Sequence, residues 1–170
     1  EFLEKWLQIK GRSTLDVFEV MRSTFAVREF TADSLPNEVL YEILENARFA
    51  PSGGNRQGNR VIIVRDKDAR LELAKFGEPA TKKYVAQVEA GESPWNTVVP
   101  TKVTSEQIEQ AEAPRMLINQ YITAQVVLVF LVDLACVASM DKELDTIGVI
   151  SGASIYPFVW NVLMAARRLG

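Results

Sequence analysis

"APSGGNRQGNRVIIV", residues 50–64, is the stretch from which the interpretation of the whole chain starts. Pro51 stops a preceding helix, because the residue before a proline avoids the helical region of backbone space. Gly53 and Gly54 allow backbone angles that other residues resist. The apolar, β-branched run at residues 61–64 predicts a short strand that is buried on both faces. The stretch therefore predicts a helix, a polar loop and a strand, in that order.

The polar side chains of this loop suit a flat ligand. Asn55 and Gln57 can each donate and accept hydrogen bonds, and Ser52 adds a hydroxyl. Such a mixture matches the carbonyl and N–H groups along the edge of an isoalloxazine ring. The same residues are also compatible with an ordinary loop that only ends a helix, and the loop alone favours that second interpretation.

A phosphate-binding P-loop is excluded by the order of elements. Gly53 and Gly58 have the spacing of that motif, but Asn59 and Arg60 replace its Lys and Ser or Thr. A P-loop follows a strand and opens a helix, whose N-terminus then faces the phosphate. This loop follows a helix and opens a strand, so a nucleotide-binding P-loop is not a valid interpretation.

Composition sets further bounds. The 170 residues, 48% of them hydrophobic, suit one domain with a substantial core. The net charge of −3 and the scattered basic residues argue against nucleic acid or a polybasic membrane surface as a partner. The first residues do not resemble a signal peptide, and we expect a cytoplasmic protein. Cys136, the single cysteine, is expected to be a buried structural thiol.

The absence of histidine is the most informative feature of the composition. It excludes Ser-His-Asp and Cys-His catalysis and removes the commonest metal ligand, so no metal site is expected. Demanding chemistry would then need either an all-carboxylate site or a bound cofactor that supplies the reactivity.

Apolar periodicity predicts seven helical segments and two strands. The predicted helices cover residues 2–9, 14–22, 37–50, 66–77, 79–90, 105–113 and 144–168. The predicted strands cover residues 60–66 and 126–132, the second of them as a central strand. The apolar run at residues 147–166 is interpreted as a buried helix rather than a membrane span, because polar residues and a proline interrupt it. The chain is thus predicted to be of the α+β class, with a small sheet surrounded by helices.

Several local signals refine the predicted helix ends. Ser13 or Thr14 is expected to cap the second helix, and Asn37 the third. Thr104 and Gln107 form a capping box. Gly77 is expected to end a helix, and Pro157 is expected to kink the last helix. Gly170 is expected to occupy the C′ position of that last helix.

Two longer stretches carry a family resemblance. "STFAVREFTADSLPNEVLYEILENARFAPSGGNRQGNRVIIVRD", residues 23–66, resembles the N-terminal half of the FMN-dependent nitroreductases, and residues 152–170 resemble their long central helix. The first family motif, Arg-Arg-Ser-x-Arg-x-Phe, is matched by Arg28 and Phe30. The family's Ala-Pro-Ser-x-x-Asn-x-Gln loop is matched by five residues: Ala50, Pro51, Ser52, Asn55 and Gln57.

The resemblance implies a nitroreductase-like α+β fold, with a mainly antiparallel sheet, a long central helix and an intertwined homodimer. FMN would lie at the interface of the dimer. NADH or NADPH would reduce it, and a small acceptor such as a nitroaromatic compound or a quinone would then take the electrons. The implied cofactor-binding residues are Arg22, Thr24, Arg28, Pro51, Ser52, Gly53, Asn55 and Gln57, and no side chain is implied as catalytic. Arg28 would face the ring; a surface arginine paired with Glu29 or Asp33 is the alternative.

The sequence also departs from the family. Thr24, Phe25 and Ala26 stand where the family has Arg-Arg-Ser, and Gly58-Asn59 replaces its Pro-Trp. Family members continue beyond the position of Gly170 with further flavin contacts. Each charge-assisted phosphate contact contributes about 1.5–3 kcal/mol, so we expect this chain alone to bind FMN weakly. A catalytically impaired or non-enzymatic flavin-binding member of the fold therefore remains an alternative, as does, more remotely, an unrelated helical interaction domain.

Aromatic residues outside the loop have two interpretations each. Trp95 lies in the irregular segment 91–103, which is either a substrate lid or a surface loop whose tryptophan packs on the core. Tyr156, Phe158 and Trp160 are interpreted as core or dimer contacts rather than as ligand contacts.

Overall fold

The computed structural model describes residues 15–170, so the helix predicted for residues 2–9 lies outside it. Within the described range there are six α-helices, α1 to α6: Val17–Ser23, Asn37–Ala47, Lys67–Glu89, Ser105–Gln110, Arg115–Thr123 and Tyr156–Arg168. The strands are β1, Asn59–Val64, and β2, Val127–Val132. Two 3-10 turns complete the list, at Gly53–Asn55 and Ile150–Ser154. The predicted α+β class is confirmed.

The two strands pair with each other, and the pairing is antiparallel. The backbone N–H of Asp133, just after β2, donates to the carbonyl of Gly58, just before β1, at 2.7 Å. Burial of the first strand on both faces was expected, and this prediction is wrong, because Ile62 is 50% exposed; in β2, Leu131 is 44% exposed. In a two-stranded sheet each strand has a free edge, so neither strand is central.

The chain forms two compact units. The first contains residues 34–62 and 129–170 together with the described part of the chain before residue 27. The second contains residues 27–33 and 63–128. The interpretation of residues 1–170 as one nitroreductase-like domain stays a prediction.

The core of the first unit lies between α2 and α6. The helices α2 and α6 pack against each other, and α1 packs against α6. Val39, Leu40 and Ile43 lie on one face of α2 and are all buried, as helical periodicity predicts. From α6, Phe158 is buried and meets Phe130 of β2 edge to face, with ring centroids 6.0 Å apart. This aromatic pair connects the sheet to the last helix.

The second unit is built around α3, against which α4 and α5 pack. Arg70 of α3 is only 8% exposed, and its Nη1 donates to the carbonyls of Ile122, at 3.0 Å, and of Ala124. These carbonyls lie at the C-terminal end of α5, where the backbone has no helical partners. Arg70 therefore satisfies the end of α5 and connects it to the start of α3.

The helix α3 is longer than predicted. It continues through Gly77 and Pro79, so the prediction that a helix ends at Gly77 is wrong. A proline inside a helix removes one backbone hydrogen bond. Burial of Ala74 and Ala86, on either side of the proline, indicates that packing holds the helix together across this site.

The last helix is shorter than predicted. It begins at Tyr156, not near residue 144, so the long helix over 144–168 is wrong at its start. Instead, the carboxylate of Asp141 accepts hydrogen bonds from the backbone N–H of Val149, at 2.5 Å, and Ile150, at 3.0 Å. These two bonds lower the pKa of Asp141, and the bond from Ile150 has the larger effect. The residues before α6 therefore form a loop whose backbone is hydrogen-bonded to the Asp141 carboxylate.

Pro157 does not kink α6, because it lies in the first turn of the helix, where a missing N–H costs nothing. Gly170 has a φ of 95° and follows Leu169, the C-terminal cap, as predicted.

The other helix ends agree in part with the predictions. The capping box of Thr104 and Gln107 is confirmed. The helix α1 begins at Val17 rather than 14, with Asp16 as its cap, and the predicted caps Ser13 and Thr14 lie outside the described residues. Pro36 rather than Asn37 occupies the capping position of α2. The helix α5 was not predicted.

Within residues 15–170, none of the helices combines the length and the apolar character that a membrane span requires.

Candidate functional site

The first candidate site is the polar loop, residues 52–57, between α2 and β1. Its hydrogen bonds close it on itself. The hydroxyl of Ser52 accepts from the backbone N–H of Gln57 at 3.0 Å, and its carbonyl accepts from the N–H of Asn55 at 2.8 Å. The side-chain amide of Gln57 donates to Oδ1 of Asn55 at 3.0 Å. The Nδ2 group of Asn55 and the Oε1 atom of Gln57 keep their capacity to bind a ligand, and both side chains are exposed.

The backbone of the polar loop is strained. Gly54, Asn55 and Gln57 all have positive φ, at 61°, 53° and 50°. Glycine and asparagine tolerate this conformation, whereas for glutamine it costs on the order of 1–2 kcal/mol. Backbone strain of this kind concentrates at functional sites, because the surrounding structure must maintain it. The strain turns two polar side chains outward within three positions.

Neighbouring elements of the first unit hold both ends of the loop. At its start, the backbone N–H of Gly53 donates to Oγ of Ser154 at 3.0 Å. At its end, Gly58 is buried and packs closely on the turn that follows β2. A Cβ atom at Gly58 would lie 2.9 Å from Val137 Cγ1 and 3.2 Å from the carbonyl oxygen of Asp133. A side chain at position 58 would therefore clash with this turn.

Next to Gly58, Asp133 organises a small polar cluster. Its carboxylate accepts from the Cys136 thiol at 3.2 Å and from the N–H of Ala135 at 3.0 Å, and Nη2 of Arg60 lies 3.8 Å away. The hydrogen bond from Cys136, above all, lowers the pKa of Asp133. The same bond, above all, and desolvation raise the pKa of the Cys136 thiol, which favours its protonated form. Cys136 is only partly buried, which corrects the expected full burial.

Two further predicted cofactor-binding residues belong to the first unit. Arg22, in the last turn of α1, is exposed, with its guanidinium carbon 5.9 Å from the centre of the Phe18 ring. Thr24 is the C-terminal cap of α1, and its hydroxyl donates to the carbonyl of Val20 at 2.7 Å. The hydroxyl proton of Thr24 is therefore used within the protein, whereas the charge of Arg22 is available to an anion.

The second unit contains the two remaining predicted residues. Arg28 is exposed in the segment 27–33, and no ion pair within residues 15–170 involves it. Trp95 is 51% exposed and has a φ of 59°. The ammonium of Lys83 lies 5.2 Å from the centre of its ring, within the range of a cation–π interaction. The alternative that Trp95 packs on the core is not what the structure shows.

Trp95 belongs to the tryptophan segment, residues 91–103, whose two ends are joined by Glu92. The Glu92 carboxylate accepts from the Thr101 hydroxyl at 2.6 Å and from the Lys102 N–H at 2.7 Å. A weaker contact comes from the Gln87 amide at 3.3 Å. These bonds lower the pKa of Glu92, and the bond from the Thr101 hydroxyl has the largest effect. A cavity of about 500 Å³ lies between this segment, the end of α3 and the start of α4.

The aromatic residues of α6 divide into two groups. Phe158 is 5% exposed and belongs to the core, whereas Tyr156 and Trp160 are 73% and 45% exposed. Ser154 was not predicted to be part of the site. No local pattern could have indicated it, because its contact with Gly53 spans 101 positions of the chain. No group of three or more acidic or cysteine side chains within residues 15–170 could hold a metal ion.

Comparison with known proteins identifies the family and the fold. The model of the nitroreductase family matches residues 21–170, and the chain therefore belongs to the nitroreductase family. Among solved structures, it is similar to oxidized iodotyrosine deiodinase in complex with FMN and 3-iodo-L-tyrosine, at 18% identity and a TM-score of 0.58. That similarity covers 89% of this chain and 69% of the other, and at such low identity it shows the fold alone. No curated protein matches the sequence significantly.

Proposed function

We propose that this chain is an FMN-dependent oxidoreductase, which transfers electrons from NADH or NADPH to a small acceptor such as a nitroaromatic compound or a quinone by a ping-pong mechanism. The observation that supports this proposal best is the polar loop. It keeps the side chains of Asn55 and Gln57 exposed on a backbone of positive φ. Three of the five family-matching positions, Ser52, Asn55 and Gln57, lie in this loop, and the chain belongs to the nitroreductase family.

The free groups of the polar loop fit the rim of a flavin ring. The Nδ2 group of Asn55 can donate to a ring carbonyl, and the Oε1 atom of Gln57 can accept from a ring N–H. The hydroxyl of Ser52 accepts from the backbone N–H of Gln57 at 3.0 Å, which leaves its own O–H able to donate. Ser52 would therefore both hold the shape of the loop and add a donor to the polar contacts of the two amides. Pro51 and Gly53 would contribute backbone surface.

For the phosphate, Arg22 is the candidate in the first unit. It is an exposed cation, with its guanidinium oriented by the ring of Phe18. A guanidinium can bind a phosphate through two parallel hydrogen bonds. Thr24 can only accept a hydrogen bond, because its proton is donated to Val20, so it offers little to an anion. Arg28 remains our proposed cation for the ring, since a positive charge there would stabilise an anionic reduced flavin.

The residues present indicate which part of the reaction the cofactor would carry out and which part the protein would. FMN, when bound, would supply the redox chemistry by holding two electrons between the two half-reactions. The chain would bind and orient it through the amides of the polar loop and the guanidinium of Arg22. Trp95 is exposed, and its ring lies close to the Lys83 ammonium. We propose that Trp95 covers the acceptor, because an indole ring and a neighbouring cation can both attract an aromatic molecule.

A second copy of the chain is part of the proposal. Tyr156, Trp160 and Leu163 recur every three or four residues along α6 and are all at least 45% exposed. On α1, which packs against α6, Phe18 and Met21 are 62% and 54% exposed. Soluble monomers rarely leave a contiguous apolar surface of this kind exposed. We therefore propose a homodimer formed through the α1 and α6 faces, in the cytoplasm.

The test is a titration of the full chain with FMN, extended into the millimolar range and followed by flavin fluorescence. The titrated protein is then mixed anaerobically with NADH or NADPH. We expect saturable binding, and bleaching of the flavin absorbance near its visible maximum by one of the two nucleotides. An Arg22→Ala substitution removes a charge-assisted contact of about 1.5–3 kcal/mol and should weaken binding roughly 10- to 150-fold.

Arg48→Ala is the matched control for Arg22→Ala. Arg48 is also an exposed arginine near a phenylalanine ring, 5.5 Å from the centre of Phe49. It should leave FMN affinity unchanged. If wild-type protein binds no FMN, or if both arginine variants lose affinity equally, the assignment of Arg22 to the phosphate and the proposal behind it fail.

An impaired flavin-binding member of the fold is the second candidate function. It is favoured by the commitment of the Thr24 hydroxyl to α1 and by the apolar residues Phe25 and Ala26 beside it, which leave one side of a phosphate without donors. The same titration distinguishes the two functions. Bound flavin that neither nicotinamide reduces would favour this second function over the first.

A further inference from the structure

The contact between Ser154 and Gly53 points to a residue that acts on the polar loop from outside it. Ser154 ends the 3-10 turn Ile150–Ser154, immediately before α6. Its Oγ atom accepts from the backbone N–H of Gly53 at 3.0 Å, and a Cβ atom on Gly53 would lie 3.5 Å from that oxygen. The contact therefore holds the loop backbone close without a steric clash.

The bond between Ser154 and Gly53 lies at the start of the strained part of the polar loop. Gly53 is the first residue of the short 3-10 turn Gly53–Asn55, and the residue after it, Gly54, is the first with positive φ. At the end of the loop, the backbone N–H of Gln57 donates to the hydroxyl of Ser52. The strained stretch is thus held at one end by Ser154 and at the other by Ser52. Without the first of these bonds, only the hydrogen bonds within the loop itself, such as that from the Asn55 N–H to the Ser52 carbonyl, hold the backbone at residues 53–55.

We propose that Ser154 is a positioning residue, whose hydroxyl fixes the polar loop in the strained conformation that turns Asn55 and Gln57 toward a flavin. This inference rests on the proposed flavin function. Ser154 itself need not touch the ligand, because it acts through the backbone of Gly53. Its effect therefore differs from that of Asn55 or Gln57: its loss changes the geometry of the loop without removing a ligand contact.

A measurement on the unmodified chain tests the contact first. After correction for intrinsic rates, the amide of Gly53 should exchange with deuterium at least tenfold more slowly than that of Gly54, because of these two N–H groups only that of Gly53 has a hydrogen-bond partner within residues 15–170. Equal protection of the two amides would overturn the proposal without any substitution.

The substitution Ser154→Ala should then speed exchange at Gly53 about tenfold and weaken FMN binding about tenfold. Ser154→Thr keeps the hydroxyl and should restore both values to within about threefold of wild type. Ser151→Ala is the matched control, since Ser151 belongs to the same 3-10 turn and forms no side-chain hydrogen bond with residues 15–170. Thermal melts of all variants establish that the fold is retained.

The outcomes separate this inference from the function on which it rests. If wild type binds FMN and Ser154→Ala binds it equally well, the positioning role is wrong and the proposed function stands. If wild type binds no FMN, the proposed function and the role derived from it both fail. A loss of affinity shared by Ser154→Ala and Ser151→Ala would mean that the turn as a whole, rather than the hydroxyl, matters, and it would also overturn the proposal.

Discussion

The polar loop and the tryptophan segment are both irregular, and both hold non-glycine residues at positive φ. They are held in different ways. In the polar loop, neutral hydroxyls of Ser52 and Ser154 bind backbone N–H groups. In the tryptophan segment, the charged carboxylate of Glu92 joins the two ends. Irregular backbone can thus be held with or without a charged group, and we expect only the contacts of Glu92 to depend on pH.

The largest expected effect concerns the end of the polar loop. Gly58→Ala places a methyl group 2.9 Å from Val137 and 3.2 Å from a backbone carbonyl, and backbone cannot move aside cheaply. We expect a loss of about 1–3 kcal/mol in the free energy of unfolding, as for other overpacked sites. Chemical denaturation measures it.

Gly77→Ala is the control for this substitution. Gly77 lies inside α3, and a Cβ there would meet nothing within 4 Å. It should raise the free energy of unfolding by about 0.5–1 kcal/mol, because alanine favours helix more than glycine does. If Gly58→Ala were as harmless as Gly77→Ala, the close packing at the end of the loop would be refuted.

A smaller effect measures the strain directly. Gln57→Gly removes the glutamine side chain and also relieves the positive φ of 50°. Gln57→Ala removes the same side chain but keeps the strain. We expect the glycine variant to be more stable than the alanine variant by about 1 kcal/mol, while both lose affinity for FMN about tenfold. Equal stability of the two variants would show that position 57 is not strained in solution.

The smallest effect distinguishes the two regions by pH. The pKa of Glu92 is lowered on folding from its ordinary value of 4.5, so its bonds contribute fully above pH 4.5 and are lost as the pH falls further. The Lys102 amide, which donates to Glu92, should therefore lose protection from exchange below about pH 4.5. The Gly53 amide should keep its protection across the same range, because its partner is neutral.

Glu92→Gln is the control for the pH experiment. Glutamine keeps an acceptor oxygen but cannot titrate, so the protection of Lys102 should become independent of pH. A pH dependence that persists in this variant would assign the effect to another carboxylate.

The sequence was sufficient where local chemistry decides the structure. The apolar face of α2, the capping box at Thr104 and the glycine at position 170 were all predictable, because each depends on residues within one or two turns. The family and the fold class were also predictable, from the motif around Ser52 and Asn55. These features require no knowledge of distant contacts.

The sequence was insufficient where distant residues decide. Gly77 and Pro79 look like the end of a helix, yet packing by α4 and α5 extends α3 past both. The start of α6 depends on Asp141, which binds the preceding backbone across eight positions. The contact of Ser154 with Gly53 is more distant still, and it left no pattern in the local sequence.

The most direct test of the account is a titration of isotope-labelled protein with FMN, followed through the backbone amide resonances. We predict that the amides of Gly53, Gly54, Asn55 and Gln57 shift progressively and saturate together with flavin fluorescence. Shifts that leave all four of these amides unchanged at saturation would contradict the claim that the polar loop binds the flavin.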